Sequence, residues 1–115
     1  MPGHASAAIA SYPFLGSSKQ PIKVPEKFGV GKDIFNPASP KTITFIQDVL
    51  KEVSDLFPGD IIHTGGDEVK YDQWKNNEDV KYLMKKNQLE NYGDLQLHFT
   101  NNISNYINSV IGKRM

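Results

Sequence analysis

The sequence contains no cysteine. This excludes a disulfide framework, a thiolate nucleophile and a zinc–thiolate site, and leaves the compartment open. Charge of one sign is missing too: 13 Lys and Arg balance 13 Asp and Glu. Neither the basic footprint of a nucleic-acid binder nor a polybasic membrane surface is therefore expected. No run approaches the roughly 20 apolar residues needed to span a bilayer. Residues 1–15 lack the basic segment and long apolar core of a secretory signal. There is no internal repeat and no low-complexity tract. What remains is a chain of 115 residues with 38% hydrophobic content, a length that suits one small domain.

The most informative stretch is Ile61-Ile62-His63-Thr64-Gly65-Gly66-Asp67-Glu68-Val69. Pro58-Gly59-Asp60 ends whatever precedes it, and the β-branched opening reads as a short buried strand. The paired glycines permit positive φ or a close approach of backbone to a ligand. Asp67 and Glu68 then stand at the C-terminal lip of a strand, where α/β folds keep their ligand sites. A bare Asp-Glu pair is usually an acidic turn; the strand, the glycines and His63 around it favour function.

Around this stretch the chain alternates helix and loop. Ala5-Ser6-Ala7-Ala8-Ile9-Ala10-Ser11-Tyr12 follows the turn dipeptide Pro2-Gly3 and reads as a short helix stopped by Pro13. Residues 14–40, with Pro21, Pro25, Pro37 and Pro40, read as a long loop, either a functional wall or a connector. Ser39 is placed to cap a helix with Pro40 at its first position. Ile46, Val49, Leu50, Val53, Leu56 and Phe57 then recur at helical spacing, predicting about 17 helical residues whose apolar stripe is core. Helix, tight turn and buried strand make one α/β step of a parallel sheet. Asn77 is expected to cap a helix running to about Lys86. A last helix is expected from near Asp94 to a stop at Gly112. His98 falls within it as a surface or core residue with no chemistry assigned.

His63-Thr64-Gly65-Gly66-Asp67-Glu68-Val69 resembles the His-x-Gly-Gly-Asp-Glu signature of the family 20 glycoside hydrolases, the β-N-acetylhexosaminidases. Met1-Pro2-Gly3-His4, followed by small residues and Tyr12-Pro13, resembles the family's other marked box, which lies there at the end of the third barrel strand. The two boxes come in the family's order. The resemblance implies an α/β fold, a (β/α)₈ barrel, of which residues 1–115 would cover the end of strand 3 to the start of strand 5. Whole barrels run to about 250 residues, so the chain is expected to be an internal fragment of a catalytic domain. Lys113-Arg114-Met115 would lead into the next strand. Several relatives have Cys-Trp where this chain has Gln73-Trp74, so any disulfide they use there is absent.

The chemistry implied is hydrolysis of terminal β-linked N-acetylglucosamine or N-acetylgalactosamine. Most glycosidases place two carboxylates about 5–5.5 Å or 6.5–9.5 Å apart across the sugar. Adjacent carboxylates on extended backbone diverge, which suits them poorly to that arrangement. Substrate-assisted hydrolysis, with the 2-acetamido oxygen as nucleophile, removes the difficulty. By resemblance Glu68 is the general acid/base and Asp67 orients the acetamido group and stabilises the intermediate. His4 matches the histidine that tunes the acid's proton. Such roles call for Glu68 to carry the proton and Asp67 to stay ionised. His63 and Gly66 are expected at the pocket floor, and Trp74 either packs under a loop or walls the sugar pocket, with packing favoured. No cofactor is expected. A metal on His63, Asp67 and Glu68 is disfavoured, since no second His stands at ligand spacing. The partner would be an N-acetylhexosamine-containing glycan or a chito-oligosaccharide, with no nucleic acid and no membrane segment. The fragment alone is expected to be inactive; its compartment stays open, and a periplasmic or secreted parent would fit the family's bacterial relatives. A carbohydrate-binding pseudo-enzyme or a small free-standing α/β interaction domain are the alternatives.

Overall fold

The computed structural model describes residues 1–27 and 29–115; Phe28, inside the expected long loop, lies outside the described residues. Helix α1 (Ser6–Ser11) stops at Pro13, where a 3₁₀ turn (Pro13–Leu15) begins. The ring fixes φ and removes a donor, so the helix cannot continue through it. After a long loop come α2 (Pro40–Leu56), α3 (Asp72–Lys75), α4 (Glu78–Lys86) and α5 (Tyr92–Tyr106). A π-helical turn (Ile107–Ile111) prolongs α5 and ends at Gly112, whose φ of 80° is left-handed. Glycine takes that conformation without steric cost, which makes it a helix stop.

Helix α2 matches the span expected from its periodicity, with Pro40 in its first turn. Its cap differs. Ser39 holds the cap position, but its hydroxyl makes no capping bond; the Ser39 carbonyl accepts from Thr42 and Ile43 instead. Its apolar stripe is wider than the core. Ile46 and Leu50 are buried, whereas Val49, Leu56 and Phe57 are exposed because no described part of the chain covers them. Asn77 caps α4 as expected: its side-chain oxygen accepts from the Val80 N–H at 3.1 Å. Helix α5 starts two residues before Asp94, where Asn91 accepts from the Asp94 N–H at 2.8 Å.

The core has two parts. One gathers Ile9, Leu15, Phe35, Ile46, Leu50, Phe99 and Ile103; the other holds Ile34, Trp74, Val80 and Leu95. Ile34 and Phe35 are neighbours assigned to different halves, as alternation along extended backbone requires. Helix α5 serves both, Leu95 in one and Phe99 and Ile103 in the other.

The expected strand is the main correction. Among the described residues no strand forms, and pairing is limited to isolated bridges, Gly16 with Phe35 antiparallel and Ile61 with Arg114 parallel. A parallel strand draws its stability from ladders on both sides. Here Ile61 has one neighbour over one residue pair, held by Ile62 N–H to the Arg114 carbonyl (2.8 Å) and Arg114 N–H to the Asp60 carbonyl (2.9 Å). The α/β class expected from sequence is thus seen as helices around a single parallel contact. Lys113 fixes that contact: its ammonium donates to the Ser54 and Phe57 carbonyls at 3.2 and 2.6 Å. These belong to the last turn of α2 and the residue beyond it, where a cation also meets the negative end of the helix dipole.

The expected long loop is pinned at both ends. Ser17 N–H donates to Ile34 and Asn36 N–H to Leu15. Asn77, besides capping α4, donates to the Ser17 carbonyl at 2.9 Å in a buried position. Replacing Asn77 with Ala removes both bonds and is expected to cost about 2 kcal/mol. Urea unfolding midpoints of the two chains measure it.

Candidate active site

The site is made where two glycine-bearing turns meet. Gly3 is buried, and a Cβ there would stand 3.5 Å from Val69 Cγ2 and 3.6 Å from the Asp67 carbonyl, so the first turn lies directly on the second. Gly65 and Gly66 take φ of 67° and 141°. Added side chains there would be strained, and one at Gly65 would also stand 3.2 Å from the Met1 nitrogen. His4 (φ 55°) and Glu68 (φ 54°) are left-handed as well. Non-glycine residues hold this conformation at a cost of about 1–3 kcal/mol, and such strain collects at functional sites. Gln88, the remaining described non-glycine with positive φ, follows the end of α4, where the conformation is ordinary.

The result is a contact between residues far apart in sequence. His4 Nε2 lies 3.2 Å from Glu68 Oε2, with both side chains about half exposed, 55 and 53%. Asp67 stands beside them: the three groups each present one ligating atom within 4.8 Å of the others. Asp67 and Glu68 therefore do not diverge as extended backbone would have them, because the left-handed turn at Glu68 swings its carboxyl round. The same spacing is within a divalent cation's reach, but all three residues are exposed, and exposed acidic groups commonly hold no ion.

The remaining candidates fall elsewhere. His63 is exposed and outside the three-residue group; its Nδ1 accepts from the Gly65 N–H at 3.0 Å, so it shapes the turn. Gly66 offers its carbonyl to the Gln96 side chain at 2.6 Å. Trp74 is fully buried, donates from Nε1 to the Phe35 carbonyl at 3.0 Å and stacks on Tyr71 with ring centroids 5.4 Å apart. A sugar wall needs an open ring face, and Trp74 in this chain has none. His98, half-exposed on α5, lies 3.4 Å from the Asn102 side-chain amide, away from the site.

Two participants carry no sequence signal. Gln96 on α5 reaches the turn between the glycines and the acidic pair. Gln73 donates to Asp33 at 2.6 Å and accepts from the Ile34 N–H at 3.5 Å, tying the long loop to α3. Part of that loop (Pro25, Lys27, Gly29, Val30 and Gly31) joins His4 and Ser6 around a cleft of about 320 Å³. The loop is thus beside the site.

The Met1 ammonium is half-buried and donates to the Thr64 carbonyl. Burial lowers its pKa, and the Asp67 carboxylate acts in the opposite sense.

Comparison with known proteins identifies the family. The pattern of the glycosyl hydrolase family 20 catalytic domain matches residues 1–115. A β-hexosaminidase of Porphyromonas gingivalis is 39% identical over 99 residues, 86% of this chain and 13% of that protein. A β-hexosaminidase of Vibrio furnissii is 33% identical across 100% of this chain and 19% of its own length. Among solved structures, the chitobiase of Flavobacterium johnsoniae superposes with a TM-score of 0.88 at 32% identity, over 93% of this chain and 16% of that one. The matched pattern is that of a glycosyl hydrolase catalytic domain, and the chain belongs to glycosyl hydrolase family 20. It spans less than a fifth of the length of these relatives.

One measurement follows from the local geometry. Gly66→Ala forces a side chain onto φ 141° and is expected to cost about 1–3 kcal/mol, read from unfolding midpoints.

Proposed function

We propose that residues 1–115 form the part of a (β/α)₈ catalytic barrel from the end of the third strand to the start of the fifth. The whole protein would remove terminal, non-reducing β-linked N-acetylglucosamine or N-acetylgalactosamine from glycans or chito-oligosaccharides, with retention. The observation that carries this reading is the His4–Glu68 contact at 3.2 Å with Asp67 beside it. The parallel bridge between Ile61 and Arg114 supports the barrel assignment, being the pairing expected of neighbouring strands. Exposed Val49 and Leu56 on α2, with Phe57 just beyond it, are the surface that the rest of a barrel would cover.

In this mechanism the protonated Glu68 carboxyl gives its proton to the glycosidic oxygen as the C1–O bond breaks. The acetamido carbonyl oxygen of the same sugar attacks C1 from the opposite face and closes an oxazolinium ring. Asp67, ionised, accepts the acetamido N–H, orients that oxygen and offsets the ring's positive charge. Glu68, now a carboxylate, takes a proton from water as the oxygen of that water bonds to C1 and the ring reopens. Two inversions give retention. His4 touches the carboxyl that donates and recovers the proton, where it can bias that exchange.

The chain alone leaves His4 and Glu68 half exposed to water, with part of its loop beside them as a wall. We infer that turnover belongs to the whole protein and that the isolated chain is inactive.

The test uses the full-length protein and its Glu68→Gln variant, with chromophore release from β-N-acetylglucosaminides. Loss of about 10²–10⁴-fold is expected for a poor leaving group, with much less loss when the leaving group departs without a proton. A folded full-length protein that binds the sugar without turning it over would instead mark a carbohydrate-binding domain.

A further inference from the structure

Gln96 lies half-buried on α5, thirty residues beyond Gly66 in sequence. Its Nε2 donates to the Gly66 carbonyl at 2.6 Å, and its Oε1 accepts from the Tyr71 hydroxyl at 2.7 Å. The orientation of this amide is determined by chemistry. A carbonyl can only accept, so the NH₂ end must face Gly66, which leaves the oxygen for Tyr71 and makes the tyrosine the donor. Tyr71 is itself held by its stack on buried Trp74 and by Tyr92 at 5.8 Å.

The carbonyl that Gln96 grips belongs to the peptide joining Gly66 to Asp67. Gly66 has φ 141° and no side chain, so little local sterics restrains that peptide plane. Asp67 is exposed, and no described side-chain hydrogen bond orients its carboxylate. Glu68 has a contact of its own in His4.

We propose that Gln96 is a positioning residue for Asp67: it sets the Gly66–Asp67 peptide and thereby the direction in which the Asp67 carboxylate meets the acetamido group. The proposal rests on the hydrolase reading above. It assigns the two acidic residues separate supports, Glu68 from His4 and Asp67 from α5 through Gln96 and Tyr71. Misplacement of a reacting group by about 1 Å costs on the order of a hundredfold in rate, so the support is expected to be visible in kcat.

The experiment compares full-length wild type with Gln96→Met, Gln96→Glu and Tyr71→Phe. Methionine keeps the length and loses both bonds. Glutamate keeps an acceptor for Tyr71 but has no donor for Gly66. Using β-N-acetylglucosaminides with good and poor leaving groups, Gln96→Met and Gln96→Glu should lower kcat about ten- to a hundredfold. The loss should be equal for both leaving groups, since acetamido assistance is needed whichever group departs. Tyr71→Phe should give a smaller loss of the same kind. Wild-type kcat in Gln96→Met, even with a lowered melting temperature, would show that the residue is structural only. A loss confined to the poor leaving group would place its action on Glu68 and overturn the assignment to Asp67. Should wild type itself not turn over, the hydrolase reading falls, and the ¹³C carbonyl shift of Gly66 decides the geometry. A shift that moves in Gln96→Met retains the support, and an unchanged one refutes it.

Discussion

His4 reaches Glu68 because two turns far apart in the sequence share one small volume, and a closed circuit of contacts keeps them there. From Gly66 the circuit runs through the Gln96 amide to the Tyr71 hydroxyl, then through the stacked rings to Trp74. Trp74 donates to the Phe35 carbonyl, and the Phe35 N–H donates to the Pro2 carbonyl, two residues before His4. The last link is His4 to Glu68 itself. Any link that lengthens changes the gap between the imidazole and the acid.

Magnitudes say which links hold and which are held. An exposed ion pair contributes roughly 0–1 kcal/mol, less than the cost of keeping two non-glycine residues left-handed. The His4–Glu68 contact cannot therefore gather the turns by itself. The buried part can: Trp74, Phe35 and Leu95 are out of solvent, and the Trp74–Phe35 bond forms where water does not compete. The fold imposes the geometry of the site, and the exposed pair reports it.

Local chemistry was readable where it acts over a few residues. Pro40 starts α2, Asn77 caps α4, Gly112 stops the last helix, and the glycines before Asp67 do adopt positive φ. The strand at Ile61 was not readable as an absence, because a β-branched run does not say how many neighbours it will find. Nor did the extended reading of Asp67-Glu68 foresee the left-handed Glu68, which rests on packing of Gly3 against this turn. Gln96 was invisible for a related reason. A glutamine within a helix looks like solvent-facing surface, and only the path of a distant turn places a carbonyl in front of it.

Gln73 has a further consequence. It grips Asp33 with one end of its amide and the Ile34 N–H with the other, closing a span of forty residues across the base of the loop beside His4. A covalent crosslink in that place would depend on an oxidising environment to form and on a reductant to open. An amide clasp has neither dependence. It re-forms as fast as side chains rotate and is indifferent to redox state. In a chain without cysteine, the wall of the cleft is fastened reversibly.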